Sequence, residues 1–321
     1  MTSPDFVLVT SVLDDAESAG ILFKEVARTL GRDLYVVAVD DGSIERPLTP
    51  ENLAEAGLNG VILRLSRNVG HQRAIATGLR YANDHVADAR RIVVMDCDGE
   101  DRPETILQLL AQLEGADTDI VVAERRRRFA SIRFRLFYAI YRWLFGLLTG
   151  RRISFGNFMA MKPEALKRLA AMGELPIHVA GTVLLSRLRW RPCPIDRGTR
   201  YAGTSRMNFV GLVLHGFKGL MVFAEDVLVR VGAACALVAA MSVLAITAAI
   251  ILKSVGYATP GWFSVALGIL FIMFLQTGAI TLMTLLLTGV MRSAVVLPGD
   301  YRPLIERVIE SGSTARRVDG A

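Results

Sequence analysis

The chain has little cysteine and no pattern to it. Cys97, Cys193 and Cys235 are odd in number and share no repeat spacing, which excludes a disulfide framework or a zinc site and points to a reduced compartment. Met1–Asp5 lacks the basic stretch of a signal peptide, and the apolar run behind it is too short for the rest of one, so the following domain is expected to stay inside the cell. Internal repeats and long low-complexity tracts are missing, and only the polar tail after Ser311 reads as disordered. The absence with the largest consequence is that of charge from two stretches, Val231–Leu252 and Phe263–Val290.

Val231–Leu252 is 22 residues long, which at about 1.5 Å of rise each gives roughly 33 Å, enough to cross a hydrocarbon core of about 30 Å. The second run is longer and can tilt. Between them Lys253–Trp262 holds one Lys, whereas Lys218, Arg230, Arg292, Arg302 and Arg307 flank the other ends, so the positive-inside rule predicts both termini in the cytoplasm. The expected organisation is a cytoplasmic domain over 1–206, amphipathic juxtamembrane helices over 207–230, a two-helix transmembrane anchor over 231–291 and a cytoplasmic tail over 292–321.

What is present before Arg230 is a soluble domain of ordinary size. The formal net charge is +6, but the nine arginines between Arg125 and Arg152 are mixed with Phe, Tyr, Trp and Leu, which suits an anionic bilayer surface rather than nucleic acid. Ile132–Leu148 reads as a helix in the headgroup plane, or as one packed on the sheet with its arginines turned outward. Strand-like runs at Phe6–Val12, Leu34–Val39, Val61–Leu65, Arg91–Met95 and Asp119–Ala123 alternate with helical spacing at Ala16–Leu30, Gly70–Ala82 and Pro103–Leu113. That alternation predicts an α/β fold with a mostly parallel sheet.

Ligands of such sheets sit outside the carboxyl ends of the strands. Asp40-Asp41-Gly42-Ser43 and Asp96-Cys97-Asp98-Gly99-Glu100 both follow strands directly, so the fold is expected to bring them to one edge. Asp96, Asp98 and Glu100 offer hard oxygen ligands for Mg²⁺ or Mn²⁺ shared with substrate phosphates, the alternative being a polar turn. Cys97 reads as a small residue wedged between ligands, and His71 as a polar neighbour at a helix start.

Taken in order, Val39-Asp-Asp-Gly-Ser43, Arg67-Asn-Val-Gly70, Met95-Asp-Cys-Asp98 with Pro103-Glu104, and Arg200-Tyr-Ala-Gly-Thr-Ser-Arg206 ahead of two spans resemble the family 2 glycosyltransferases. Within them, the likeness is to the polyprenyl-phosphate branch of the dolichol-phosphate mannose synthases, over residues 6 to about 291. The resemblance implies a GT-A catalytic domain, a nucleotide-sugar donor linked to UDP or GDP, a divalent cation, and a polyprenyl-phosphate acceptor at the cytoplasmic membrane face. Carried over by position, Asp40 and Asp41 contact the nucleoside, Asp96 and Asp98 form the Asp-x-Asp pair, Glu100 stands for the family's Gln as a further ligand, and Arg125 lies near the donor phosphates. Ser11, Leu13 and Asp15 occupy the donor-side positions of the family's Pro-x-Tyr-Asn-Glu, and Leu13 removes an aromatic platform for the base.

Arg200, Ser205 and Arg206 precede the membrane, where a lipid phosphate resides, and Arg206 in place of the family's Lys supplies a planar fork for two phosphate oxygens. A second departure is Gly156-Asn157-Phe158, where the resemblance implies Asp as a base. Asn157 cannot take a proton, but a phosphate acceptor, with a second pKa of about 6, is already ionised. Asp98, Asn157 and Arg206 are thus the expected catalytic residues. Two other readings remain open, a transferase with a hydroxyl-bearing glycolipid acceptor and a catalytically silent membrane scaffold, and the sequence also leaves a homo-oligomer open.

Overall fold

The computed structural model describes residues 4–86, 89–125, 132–202, 209–257, 261–294 and 299–311; for 125, 132–138, 209–210, 285 and 288–294 it describes the backbone alone. In chain order the elements are β1 (Phe6–Val12), α1 (Ala16–Leu30), β2 (Leu34–Asp40), α2 (Pro50–Ala54), β3 (Asn59–Leu65), α3 (His71–His85), β4 (Arg91–Val94), α4 (Thr105–Leu113), β5 (Ile120–Arg125), α5 (Ile132–Thr149) and β6 (Met159–Met161). Then come α6 (Pro163–Ala170), α7 (Val179–Leu185), β7 (Trp190–Ile195), α8 (Phe209–Val222), α9 (Ala224–Ser254), α10 (Trp262–Ala294) and β8 (Ile305–Ser311). They form two compact units, one of residues 1–138, 153–222 and 297–321, the other of 139–152 and 223–296.

The first unit is built on one sheet of order β7-β5-β6-β4-β1-β2-β3-β8. β1 pairs in parallel with β2 and β4, β2 with β3, and β5 with β7, while β6 and β8 run antiparallel to their neighbours. The expected mostly parallel α/β sheet is what forms. Its central strands read as mainly apolar runs because both faces are covered. Val7 and Val9 of β1, with Val37, Val39, Val61 and Leu63, pack under α3, α6 and α7. Leu8, between them, joins Val36, Ala38 and Ile62 under α1 and α4.

The last strand departs from the expected boundaries. Residues 305–311, read from sequence as part of a tail, form β8 and close the sheet edge beyond β3, with Ile62 opposite Ile309 and Leu63 opposite Val308. The approach to it is fixed by the buried Arg80, whose Nη1 donates to Gly299 O at 2.8 Å, and by Tyr301, whose hydroxyl donates to Asp84 at 2.9 Å.

In the second unit α9 and α10 pack along each other. Both are long and apolar enough to cross a membrane, and Leu237, Leu244, Ile272 and Leu286 on them are exposed. The end of α5 packs here through Phe145, edge-on to Phe223 at 5.8 Å, and leaves Ile140, Trp143 and Leu147 uncovered.

Candidate active site

β1, β2 and β4 end together because they are neighbours in parallel register, Val9 lying opposite both Val37 and Val94. The loops after them therefore meet at one sheet edge, although the sequence separates them widely.

The loop after β2 is held by its own carboxylates. Asp40 is fully buried; its Oδ1 accepts the Ser43 N–H at 2.8 Å and its Oδ2 the Leu48 N–H at 3.0 Å. Asp41 accepts the N–H groups of Val69 at 2.7 Å and Gly70 at 3.0 Å, one on each oxygen. Burial pushes its pKa above the ordinary value even though those two bonds and His71 pull it down. Between the carboxylates and the Arg67-Asn68 backbone there is room only for glycine, since a Cβ on Gly42 (φ +73°) would lie 2.6 Å from the carbonyl carbon of Arg67. Both aspartates thus brace the two loops that frame the site. Asp14, which the sequence reading passed over, does the same from β1: at a positive φ of 48°, its Oδ1 accepts N–H bonds from Ile44 at 2.8 Å and Glu45 at 2.9 Å. Leu13 and Asp15 flank it, half-buried.

After β4 the chain turns through Asp96–Asp101. Cys97 is buried, and burial raises its thiol pKa, so it is an inert filler between the two aspartates. Asp98 Oδ1 accepts the Glu100 N–H at 3.0 Å, and Asp98 Oδ2 pairs with Arg200 Nη2 at 2.8 Å. Glu100 Oε1 takes Arg200 Nε at 2.9 Å, and its Oε2 pairs with Arg197. The guanidinium of Arg200 therefore forks across Asp98 and Glu100. Backbone bonds seat the 197–201 segment on the same turn: Gly198 N–H to Glu100 O and Tyr201 N–H to Asp98 O, each 2.9 Å. Gly99 (φ +86°) lies under the Tyr201 ring, which a Cβ there would meet at 2.8 Å. Asp101, a buried carboxylate absent from the sequence expectations, accepts the Asp96 N–H at 3.4 Å.

The third component is a polar chain with a readable direction. The Val179 N–H donates to Gln72 Oε1 at 2.7 Å, which leaves Gln72 Nε2 to donate to Asn157 Oδ1 at 3.1 Å. Asn157 Nδ2 is thereby turned to His71 Nε2 at 3.0 Å, while His71 Nδ1 meets Ser11 Oγ at 2.8 Å. His71 Nε2 is also 3.1 Å from Asp96 Oδ1. Loss of solvent pulls the His71 pKa down, but Asp96, Asp41 and Asp98 prevail and leave it above the ordinary value. His71 begins α3, as its place after Gly70 in the sequence signalled, and it is also a junction of three parts of the site.

Among the described residues no group of three His, Cys, Asp or Glu side chains is placed to hold a metal alone. The donor set still suits Mg²⁺ or Mn²⁺, which keeps few protein ligands and takes the rest from a diphosphate and water. Asp96 and Asp98 both follow β4; the oxygens of Asp98 take the Glu100 N–H and Arg200, and both oxygens of Glu100 face guanidinium groups. Ser205 and Arg206 lie outside the described residues, as do Arg126–Arg128 and the tail after Ser311, and of Arg125 only the backbone, at the end of β5, is described.

A sheet edge carrying two aspartates, a guanidinium fork and an amide–imidazole chain has the groups to hold a diphosphate and present a second substrate to it. The chain resembles dodecaprenyl-phosphate galacturonate synthase of Rhizobium johnstonii, 27% identical over 198 residues covering 58% of this chain and 57% of that one, so it spans just over half of that enzyme. It resembles the uncharacterised glycosyltransferase sll0501 of Synechocystis, 26% identical over 298 residues covering 91% and 90% of the two chains. Its fold is shared with glucosyl-3-phosphoglycerate synthase of Mycobacterium tuberculosis, solved with Mn²⁺, UDP-glucose and phosphoglyceric acid, at a TM-score of 0.50 and 14% identity over 71% of this chain and 79% of that one. The catalytic unit therefore has the GT-A fold. The family model described as glycosyl transferase family 2 matches residues 9–185, more than half of the chain, and the protein belongs to that family.

Proposed function

We propose that the protein transfers a sugar from a UDP- or GDP-linked donor to a polyprenyl phosphate, by a single displacement that inverts the anomeric carbon. The observation that carries this reading is Asn157. The residue beside Asp96 and His71 is an amide locked in orientation by Gln72, so no carboxylate stands there to deprotonate a hydroxyl acceptor. A phosphate monoester arrives ionised and needs alignment instead. One of its oxygens forms the bond to the anomeric carbon as the bond to the nucleoside diphosphate breaks. A bound Mg²⁺ or Mn²⁺, held by Asp96 and Asp98, would neutralise charge on the leaving diphosphate. Arg200 and Arg197 add positive charge at the same turn, and in this reading Arg206 and Ser205 meet the acceptor phosphate, with Arg125 on the donor side. Asp40 and Asp41 act on the nucleoside through the loops they brace.

Three further observations support a membrane setting. α9 and α10 expose apolar side chains along their length. β8 pairs with β3, so the chain that leaves the catalytic unit at α8 returns to it after α10, as a pair of crossings requires. A relative is a synthase named for a polyprenyl phosphate. The excess of Lys and Arg around the spans supports a cytoplasmic setting for that unit. The other enzymatic reading, a hydroxyl acceptor with His71 as base, has a weaker footing because both ring nitrogens are already engaged.

Membranes containing the protein, incubated with a panel of UDP- and GDP-sugars, Mg²⁺ or Mn²⁺, and either polyprenyl phosphate or polyprenol, test this. Transfer to the phosphate alone, abolished by chelation, is expected. Equal transfer to the alcohol would favour the hydroxyl reading, and no transfer with any donor would favour a silent scaffold.

A further inference from the structure

The chain has four histidines, and two of those outside the Asp96 junction, His178 and His215, face each other across α7 and α8. His178, the residue that caps α7, is buried, and its Nδ1 accepts the Gly181 N–H at 3.0 Å. A backbone amide can only donate, so Nδ1 is bare and the one proton of the neutral ring sits on Nε2. That Nε2 lies 3.2 Å from Nε2 of His215, with ring centroids 4.5 Å apart. Two N–H groups cannot face each other at that distance. His215 Nε2 must accept, and the proton of His215 is on Nδ1. A metal between the two rings is disfavoured by the same bond, since a ligating His donates from its other nitrogen and His178 cannot.

The pair is kept neutral. Burial, His215 and Lys218 hold the His178 pKa down at about 3, and burial, His71 and Lys218 hold His215 below its ordinary value, with Asp96 opposing. His215 is therefore a neutral N–H donor in one fixed tautomer, within electrostatic reach of Asp96 and His71 and half-exposed. α8 displays a different character on its outer side, where Leu214, Phe217 and Met221 are more than half exposed at helical spacing and Lys218 lies one turn from His215.

We propose that His215 donates the hydrogen bond that recognises the phosphate of the lipid acceptor, and that His178 is the positioning residue holding it in the donor tautomer. The proposal rests on the polyprenyl-phosphate reading above. Chemically, a neutral donor grips a phosphate oxygen while adding no further positive charge to that brought by Arg206 in the reading above. Geometrically, α8 sets that donor on the helix whose opposite stripe is apolar, as a phosphate attached to an isoprenoid chain demands.

The test is binding to the full chain in nanodiscs, with polyprenyl phosphate, polyprenol, inorganic phosphate, UDP and GDP as probes, for the wild type, His215→Phe and His215→Asn. Loss of one neutral donor to a charged oxygen predicts polyprenyl-phosphate binding about 10- to 100-fold weaker in His215→Phe. UDP and GDP binding should not change. His215→Asn, whose amide N–H takes the place of Nδ1–H, should recover to within about threefold of the wild type. Inorganic phosphate should compete with the lipid in the wild type. If the wild type binds UDP or GDP but no polyprenyl phosphate, the functional reading falls and this inference with it. If the wild type and His215→Phe bind polyprenyl phosphate equally, or polyprenol competes as well as phosphate does, this inference falls alone.

Discussion

Asn157 Nδ2 lies 3.0 Å from His71 Nε2, the same nitrogen that lies 3.1 Å from Asp96 Oδ1. One ring nitrogen therefore faces two neighbours with opposite demands and can satisfy only one at a time: bare, it accepts from the amide fixed by Gln72; protonated, it donates to the carboxylate. Charge taken up by Asp96 would be felt at Asn157 through a single imidazole. The amide is thus part of the electrostatic setting of the strand-end pair.

Restoring the family's acid here should harm transfer to a phosphate. Two unit charges about 5 Å apart at an effective dielectric near 20 repel by about 3 kcal/mol. Asn157→Asp is expected to lower the rate with polyprenyl phosphate by about 10- to 100-fold, measured by initial rates at saturating donor. An unchanged or higher rate would show that the amide is not needed for an anionic acceptor.

Glu100 and Arg200 should behave as one device. Glu100→Gln and Arg200→Lys each break the fork across Asp98 and Glu100, and each is expected to raise the KM for the nucleotide-sugar about 5- to 50-fold. The cation concentration giving half-maximal rate should stay within about threefold of the wild type in Glu100→Gln. A rise of tenfold or more there would make Glu100 a metal ligand.

Gly99→Ala should act through Tyr201. The added methyl group meets the ring and forces an unfavourable positive φ, at a cost of about 1–3 kcal/mol. A melting temperature lower by several degrees is expected, together with at least tenfold lower activity, because Arg197 and Arg200 ride on the displaced segment. A variant with wild-type melting and activity would show that the segment is free to move off the turn.

The buried His178 makes stability depend on pH. Its pKa is about 3 in the folded chain and about 6.5 when unfolded. Below pH 6.5 the unfolded state binds the extra proton, so stability falls by up to about 1.4 kcal/mol per pH unit as pH drops from 6.5 towards 3, and is flat above. His178→Asn, which keeps an acceptor for the Gly181 N–H without titrating, should reduce that slope by about one proton in denaturant melts between pH 7 and pH 4.5. An identical slope would place the titrating group elsewhere.

The parts of the fold that were legible in the sequence are those with local signatures. β1, β2 and β4 are mainly apolar runs of 7 residues or fewer leading into acidic loops, and α9 and α10 are uncharged over a membrane's thickness. β8 was not legible, because Ile305–Ser311 carries Glu306, Arg307 and Glu310, as an edge strand does, and its partner β3 lies far back in the sequence. At the site, the aspartate pair stood out by type and spacing, and Asn157 only as a departure from the pattern that the family resemblance implies. Asp14, Asp101 and the junction at His71 did not, since a carboxylate that accepts backbone N–H groups or an imidazole between three chain segments has no short motif. The same holds for Arg200, read as an acceptor residue and found across Asp98 and Glu100.

The most direct test of the central claim is the structure of the product. Extracted lipid from a reaction of the wild-type protein with its nucleotide-sugar, polyprenyl phosphate and Mg²⁺ or Mn²⁺ can be examined by mass spectrometry and by proton–phosphorus couplings at the anomeric centre. The expected product is a sugar joined to the lipid through one phosphodiester, with the anomeric configuration opposite to that of the donor. A sugar on a hydroxyl group, or a phosphodiester with the donor's configuration retained, would contradict it.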